Sequence, residues 1–261
     1  MGKFIIDDKD LIELIKDDEP VKLIKKPAFN AFNESTLGLG DLSKESSPVN
    51  TLAVIFDLSG FTNFCKQIDP HLVVPQFLNR FLKWIYEQIR KETISQTYPE
   101  GYNTWSKLPF FSKFLGDGLL LLWDTKDTPG DEICNIVIML KDICTSYESS
   151  FLKGISNKYS EPPNKLRCGI ARGIVYSVGE SNDFIGACIN VASRLQKFGN
   201  LSFCFAKRGI DYEEEMLDNV HPMFLTKKIN IRGIGNNELV VVSKKEFEAL
   251  GPDDQKLFSN P

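Results

Sequence analysis

The distribution of apolar residues changes at about residue 50, after which regular patterns follow one another. The run TLAVIFDL is rich in β-branched and aromatic residues, which predicts a buried strand over 51–58. The segment LVVPQFLNRFLKWIYEQIRKETI has apolar residues three and four positions apart, which predicts a helix that faces a core. The segment PFFSKFLGDGLLLLWD has two apolar runs around Gly116-Asp117-Gly118, which predicts a β-hairpin with an acidic tip.

The patterns after this hairpin predict a second helix and further strands. EICNIVIMLKDICTSYESSFL predicts a long amphipathic helix, and NKLRCGIARGIVYSVG predicts a strand, a turn and a strand. GACINVASRLQKF predicts a third helix, LSFCFA a short strand, and KKINIRGIGNNELVVVS a terminal hairpin. The order β-α-β-β-α-β is that of a ferredoxin-like split βαβ sheet. We therefore expect an α+β fold built on this sheet, with appended elements.

Residues 1–50 follow a different pattern from the rest of the chain. Leu11, Ile12 and Ile15 at helical spacing predict a short helix. The stretch that follows is rich in Asn, Ser, Gly and Pro, which predicts an extended arm. We therefore divide the chain into a helix and arm over 1–50, a main domain over 51–245 and a C-terminal tail over 246–261.

Composition and charge exclude several classes of function. The chain has 261 residues, of which 42% are hydrophobic and 25% charged, as in ordinary soluble globular proteins. Its 31 basic and 35 acidic residues give a net charge of -4, which excludes a broad cationic surface for duplex nucleic acid or an anionic membrane. The six cysteines contain no CxxC pair, and the acidic start lacks the order of a signal peptide. We expect a cytoplasmic protein that binds neither nucleic acid nor membrane.

Two aspartates stand at the ends of predicted apolar strands. Asp57 ends the first strand, and Asp117 occupies the hairpin tip. Because the first strand and this hairpin are commonly neighbours in a β-α-β-β order, we expect both carboxylates at one sheet edge. With no His or Cys beside them, they suit Mg²⁺ or Mn²⁺ with coordination positions left for phosphate oxygens. Gly116 and Gly118 would then let a triphosphate approach the backbone. Asp117 taken alone also fits an ordinary Asp-Gly turn.

At these positions the chain resembles the class III nucleotide cyclases. The resemblance rests on four motifs in sequence order: FDLSGFT (56–62), KFLGDG (113–118), RCGIARGIVYSVG (167–179) and DFIGACINVASRL (183–195). Their order and spacing match the family from about Thr51 to Val242. The resemblance implies that 51–245 is a catalytic domain that converts a nucleoside triphosphate to a 3′,5′-cyclic mononucleotide and pyrophosphate. It also implies two divalent cations per site, Mn²⁺ or Mg²⁺.

The resemblance further implies roles for individual residues. Asp57, Asp117 and the backbone carbonyl of Leu58 match the positions that hold the metals. Arg194 matches the arginine that stabilises the transition state, and Asn190 matches the asparagine that positions the ribose. Asn190 and Arg194 are four positions apart, so both project from one face of a helix.

Three more positions match the family's contacts with the base and the phosphates. Lys113 and Asp183 match the positions that read the base, where lysine donates to a ring nitrogen and aspartate accepts from an exocyclic amine. Arg232 falls where the family often has a lysine for the terminal phosphates. In that family one subunit supplies the metal carboxylates and the other the base-reading and transition-state residues. Because this chain contains both sets, the resemblance implies a symmetric homodimer with two sites at the interface.

The base that the site would read is the open part of this prediction. Guanine-specific relatives typically carry Glu and Cys at the two base-reading positions, and neither is present here. One donor and one acceptor fit adenine, cytosine or uracil. Ser59 after the first metal aspartate, and a chain with only a short arm, are similar to the bacterial Pycsar cyclases, which make cyclic UMP or cyclic CMP in anti-phage defence.

We therefore expect a uridylate or cytidylate cyclase whose product is read by a separate cyclic-nucleotide-binding effector. An adenylate cyclase that makes cyclic AMP is the main alternative, because the same pair of side chains fits adenine. A non-catalytic cyclase-like binding module is a weaker alternative, since such a module would usually lose a metal aspartate or Arg194.

Overall fold

A computed structural model describes residues 4–16, 19–97, 103–155, 158–180 and 183–261. The chain forms two compact units, unit 1 with residues 1–48 and 176–185 and unit 2 with residues 49–175 and 186–261. The helices and strands are, in chain order, β1 (Leu11–Lys16), β2 (Glu19–Ile24), α1 (Lys26–Asn30), β3 (Pro48–Ser59), α2 (Phe61–Phe64), α3 (Pro70–Thr93), β4 (Ile94–Thr97), β5 (Asn103–Trp105), β6 (Phe111–Phe114), β7 (Gly118–Asp124), α4 (Gly130–Ser146), β8 (Lys165–Val178), β9 (Asp183–Ile185), α5 (Ala187–Leu195), β10 (Phe203–Ala206), α6 (Tyr212–Glu215), β11 (Phe224–Ile231), β12 (Gly235–Ser243), α7 (Lys244–Glu248) and α8 (Pro252–Gln255).

A mixed sheet with the strand order β11-β12-β10-β8-β3-β7-β6 forms the centre of unit 2. The segment β8-β3-β7-β6, with α3 and α4 as the two connecting helices, has the ferredoxin-like arrangement that the sequence predicts. The α+β fold class is therefore confirmed. Strand β10 extends the sheet by pairing in parallel with β8, and the hairpin β11–β12 completes it through antiparallel pairing of β12 with β10.

The sheet is covered on both faces, which explains the continuous apolar run of β3. Every residue of β3 from Thr51 to Leu58 is buried. A large apolar cluster that includes Phe81 of α3 and Leu140 of α4 packs on one face. A smaller cluster on the other face includes residues of α5 and of the C-terminal tail, which folds into α7 and α8 and buries Phe258. The core thus fixes the ends of β3 and β7, where the predicted site lies.

The N-terminal helix predicted from the spacing of Leu11, Ile12 and Ile15 is wrong. These residues belong to β1, which pairs along its whole length with β2, from Leu11 opposite Ile24 to Lys16 opposite Glu19. The physical reason is that β-branched residues favour strands and that EPVKLI supplies an antiparallel partner, whereas a six-residue segment is too short for helical periodicity to decide. None of the described residues between 4 and 48 is buried.

Two further elements differ from the predictions. The segment predicted as strand, turn and strand is the single 14-residue strand β8. Its Gly173 lies within the strand, where a Cβ would lie 3.0 Å from the Cβ of Cys188 in α5, so glycine serves helix packing instead of a turn. The chain after α3 forms the short antiparallel strands β4 and β5, which the sequence patterns do not predict. None of the helices in the described ranges is long and apolar enough to cross a bilayer.

Candidate active site

The backbone brings Asp57 and Asp117 to one edge of the sheet. Asp57 in β3 pairs with Gly118, the first residue of β7. The N–H of Leu58 donates a hydrogen bond to the carbonyl oxygen of Asp117 at 3.1 Å. Asp57 of β3 and Asp117, the residue just before β7, therefore lie side by side at the same end of two adjacent strands. This is the arrangement expected from the order of the elements.

The glycines that flank Asp117 set the shape of this hairpin. A Cβ at Gly118 would overlap the backbone carbonyl oxygen of Phe56, so only glycine lets β7 approach β3 closely at this point. Gly116 has a φ of +97°, a left-handed conformation that side chains rarely adopt. Both glycines are thus required by the hairpin itself. The role expected from the sequence was a different one, namely that they let a triphosphate approach the backbone.

We expect the substitution Gly118→Ala to destabilise unit 2 by about 1–3 kcal/mol, because β3 or β7 must shift to make room for the methyl group. The measurement is the free energy of unfolding from a urea titration. Gly154→Ala is the matched control, because a Cβ there meets no atom within 4 Å and the substitution should cost little. Equal stability of the Gly118→Ala protein and the wild type would contradict the close approach of the two strands.

Asp57 is the one charged residue among the buried residues of the described chain, with a relative exposure of 3%. Its Oδ2 accepts hydrogen bonds from Nε of Arg167 in β8, at 3.0 Å, and from a terminal nitrogen of the same guanidinium. Nζ of Lys197, just after α5, lies 3.9 Å from Oδ1. Burying an isolated carboxylate is costly, and these two cations offset that cost. Because Asp57 lies near the end of β3 and Arg167 near the start of the neighbouring strand β8, the contact also shows that the two strands are antiparallel.

Asp117 has a different electrostatic environment. It is half-buried, and no hydrogen bond or ion pair of its side chain occurs within the described parts of the chain. Burial raises the pKa of the Cys65 thiol, and the Asp117 carboxylate raises that pKa further. The Asp117 carboxylate therefore acts electrostatically on Cys65, which lies just after α2. Among the described residues, no cation forms an ion pair with this carboxylate.

The donors at this edge fit a divalent cation that binds together with phosphate. Asp57, Asp117 and the carbonyl of Leu58 offer hard oxygen ligands, and Asp57 already binds a cation in the form of Arg167. Among the described residues, no group of three or more His, Cys, Asp or Glu side chains could hold a metal ion. Mg²⁺ is commonly held by one or two carboxylates plus waters and substrate phosphates, so this set suffices when phosphate is present.

Helix α5 presents Asn190 and Arg194 to solvent. Both side chains are exposed, and neither has a side-chain partner among the described residues. The opposite side of the helix is buried through Cys188, Ala192 and Leu195. A Cβ at Gly169 of β8 would overlap the backbone of α5, so this glycine lets the helix lie directly on the strand. The pair is therefore held on a firmly packed helix and points away from the core.

The three remaining predicted residues are Lys113, Asp183 and Arg232. Lys113 is half-buried in β6, opposite Leu120 of β7. Asp183 begins β9 in unit 1, and its Oδ1 accepts a hydrogen bond from the N–H of Phe184 at 2.9 Å. Arg232 is exposed in the turn between β11 and β12.

The position of Arg232 relative to Asp57 follows from the strand directions. Strand β12 runs parallel to β3, because it is antiparallel to β10, which is parallel to β8. The turn that carries Arg232 therefore lies at the opposite end of the strands from Asp57. The two ends are about 26 Å apart, the length of the nine-residue strand β12. Within one chain, the structure does not bring Arg232 to the two aspartates.

Three solved structures with a similar fold are nucleotide cyclases. The adenylyl cyclase CyaB from P. aeruginosa superimposes with a TM-score of 0.56 at 15% identity, covering 77% of this chain and 96% of that one. The guanylyl cyclase Cya2 gives 0.55 at 17% identity, with 77% and 93% covered. The catalytic core of a rhodopsin-guanylyl cyclase with converted specificity, in complex with ATPαS, gives 0.51 at 17% identity, with 77% and 98% covered.

The chain has the fold of a class III cyclase catalytic domain. No model of a protein family matches the chain, and a search of curated proteins finds no match to it. At these identities the likeness establishes the cyclase fold and not the reaction.

Within this cyclase fold, sequence reasoning missed the two cations that face Asp57. Arg167 stands in the quoted motif RCGIARG, between the buried residues Leu166 and Cys168 of β8. A charged residue between two buried ones on a central strand indicates a buried partner on the opposite face, and this signal was available. Lys197, which follows α5, carried no comparable signal.

Proposed function

We propose that the protein is a nucleotide cyclase that converts a nucleoside triphosphate to a 3′,5′-cyclic mononucleotide and pyrophosphate. The observation that carries this proposal is the pairing of Asp57 with Gly118, which sets two carboxylates side by side at one sheet edge. The exposed Asn190 and Arg194 on α5 supply the polar and cationic groups that phosphoryl transfer also requires. The cyclase fold supports the same conclusion.

The chemistry follows from the charges that develop. Bound Mg²⁺ or Mn²⁺ would activate the 3′ hydroxyl and hold the triphosphate. Asp57, Asp117 and the Leu58 carbonyl would be its protein ligands. The 3′ oxygen forms a bond to the α-phosphorus, the bond from that phosphorus to the bridging oxygen of pyrophosphate breaks, and the hydroxyl proton passes to water. Arg194 donates hydrogen bonds to the α-phosphoryl oxygens as their charge grows, and Asn190 orients the ribose.

We propose that the working form is a symmetric homodimer with two sites. Arg232 lies at the opposite sheet edge from Asp57 of its own chain, so it can serve the terminal phosphates only at a site of another copy. Each site would combine Asp57 and Asp117 of one protomer with residues of the other, namely Lys113, Asp183, Asn190, Arg194 and Arg232.

We further propose a pyrimidine nucleotide as the substrate. Lys113 and Asp183 provide one donor and one acceptor for a base, and the Glu and Cys of guanine-specific relatives are absent. Ser59 after the first metal aspartate supports a likeness to the Pycsar cyclases. In that assignment the product is cyclic UMP or cyclic CMP, a second messenger in defence against phage that a separate effector protein binds. Cyclic AMP is the alternative product, because the same pair of side chains fits adenine.

Incubation of the purified protein with ATP, GTP, CTP and UTP separately, each with Mn²⁺, tests both levels of this proposal. Mass spectrometry should find one dominant cyclic mononucleotide, cyclic UMP, and none from the Asp117→Ala control. A dominant cyclic AMP product would overturn the pyrimidine assignment and keep the cyclase. Absence of a cyclic product from all four substrates with folded protein would overturn the cyclase assignment.

A further inference from the structure

We propose that Arg167 is a positioning residue that competes with the metal for Asp57, so that the protein binds divalent cations weakly until a nucleotide is present. This inference rests on the proposed function, because it takes Asp57 as a metal ligand. It assigns to Arg167 an effect on metal affinity that is separate from holding the fold together.

The contacts show that the carboxylate of Asp57 is already occupied. Two nitrogens of the Arg167 guanidinium converge on Oδ2, and Nζ of Lys197 lies 3.9 Å from Oδ1. The Asp57 side chain is 4% exposed and that of Arg167 21%, whereas Lys197 is 61% exposed. Arg167 is therefore the counter-ion that interacts strongly with Asp57, whereas the solvent-exposed Lys197 interacts weakly with it.

A metal ion can use Oδ2 only if Arg167 gives up these hydrogen bonds. A divalent cation at Asp57 would also stand next to that positive charge in a poorly solvated site, which is unfavourable. Both effects lower the affinity of the nucleotide-free protein for the metal.

A bound triphosphate would favour the metal over Arg167 at Asp57, because it adds negative charge beside Arg167, Lys197 and the metal. The metal and the nucleotide would then bind cooperatively, and by linkage each raises the affinity for the other by the same factor. The donor set agrees with this interpretation, since Asp57 and Asp117 are only two carboxylates and a metal held by them needs further oxygen ligands. Arg167 would thus make metal loading depend on substrate.

The test is direct titration of the full-length, nucleotide-free protein with Mn²⁺, with free Mn²⁺ followed by electron paramagnetic resonance. We expect Arg167→Gln to bind Mn²⁺ about tenfold more tightly than the wild type, since it removes charge-assisted hydrogen bonds that the metal must break. Arg167→Lys, which keeps the charge and loses the paired donors, should lie between the two. Arg172→Gln is the matched control on the same strand, because Arg172 contacts Thr125 and Gly209 instead of Asp57, and its Mn²⁺ affinity should stay at the wild-type value.

Thermal unfolding separates this role from a purely structural one. Arg167→Gln should melt at a lower temperature than the wild type without Mn²⁺, and Mn²⁺ should raise its melting temperature by more. A purely structural Arg167 would give the lower melting temperature with no gain in Mn²⁺ affinity, and that result would overturn the inference. If Arg167→Gln does not fold even with Mn²⁺, Arg167→Lys decides, and wild-type affinity in that variant overturns the inference.

A titration with 3′-deoxy-UTP, which cannot cyclise, separates this inference from the proposed function. The wild type with this analogue should hold more Mn²⁺ than the protein and the analogue hold when each is titrated alone, and Arg167→Gln should show a smaller excess. If the wild type binds no Mn²⁺ with the analogue, and none with the 3′-deoxy forms of the other three nucleotides, the metal site of the proposed function fails. If it binds Mn²⁺ with an analogue but Arg167→Gln has the wild-type affinity without one, only the inference about Arg167 fails.

Discussion

Asp117→Ala and Asp57→Ala should each reduce cyclic-nucleotide formation by at least about a thousandfold, because each removes a proposed ligand of the cations on which phosphoryl transfer would depend. The two variants should differ in stability. The described residues give Asp117 no side-chain partner, so its loss should leave the melting temperature near the wild-type value. Loss of Asp57 strands the guanidinium of Arg167 and should destabilise the fold by a few kcal/mol. Initial rates and melting curves of both variants are the measurements.

Asp124→Ala is the matched control for this pair. Asp124 is the last residue of β7, the strand that begins at Gly118, so it lies at the opposite end of the strand from the candidate site. It pairs with Thr51, and its side chain accepts a hydrogen bond from the N–H of Lys126. Its replacement should leave turnover largely intact. Undiminished turnover in Asp117→Ala would remove the basis for a metal site between β3 and β7.

A mixture of Asp117→Ala and Arg194→Ala subunits should regain about a quarter of wild-type activity, although each variant alone is inactive. In a mixed dimer one site carries both lesions and the other carries neither. With random exchange half of the dimers are mixed, and each has one intact site of two, so a quarter follows for independent sites. Turnover of the mixture, with native mass spectrometry to verify subunit exchange, is the measurement.

Mixing Asp57→Ala with Asp117→Ala is the control for this rescue. Both lesions lie in the set of residues that one protomer contributes to a site, so every site in the mixed dimer retains one lesion and no activity should return. If the first mixture also stays inactive while exchange is demonstrated, the residues of a site come from a single chain, and the division of roles between protomers is wrong.

The sequence predicted the part of the fold that depends on the order of elements. The juxtaposition of Asp57 and Asp117 followed from this order, because the first strand and the hairpin are neighbours in a ferredoxin-like sheet. What failed depended on contacts that lie outside the segment being interpreted. Strand β1 was predicted as a helix because three apolar residues fit either period, and only pairing with β2 decides. Arg167 was missed because its partner lies 110 residues away.

The close seating of α5 on β8 has a consequence for how the two sites of a dimer respond to each other. In the proposed dimer this helix would offer Arg194 to the other protomer. Lys197 lies two residues after the end of the helix, and its ammonium is 3.9 Å from Asp57 of its own chain. The N–H of Lys197 donates to the carbonyl of Arg194, so in the proposed dimer one turn of backbone would join a residue of one site to the counter-ion of the other. Filling one site would then change the charge at the base of the helix that serves the second. A departure of the rescued activity from one quarter would measure this communication.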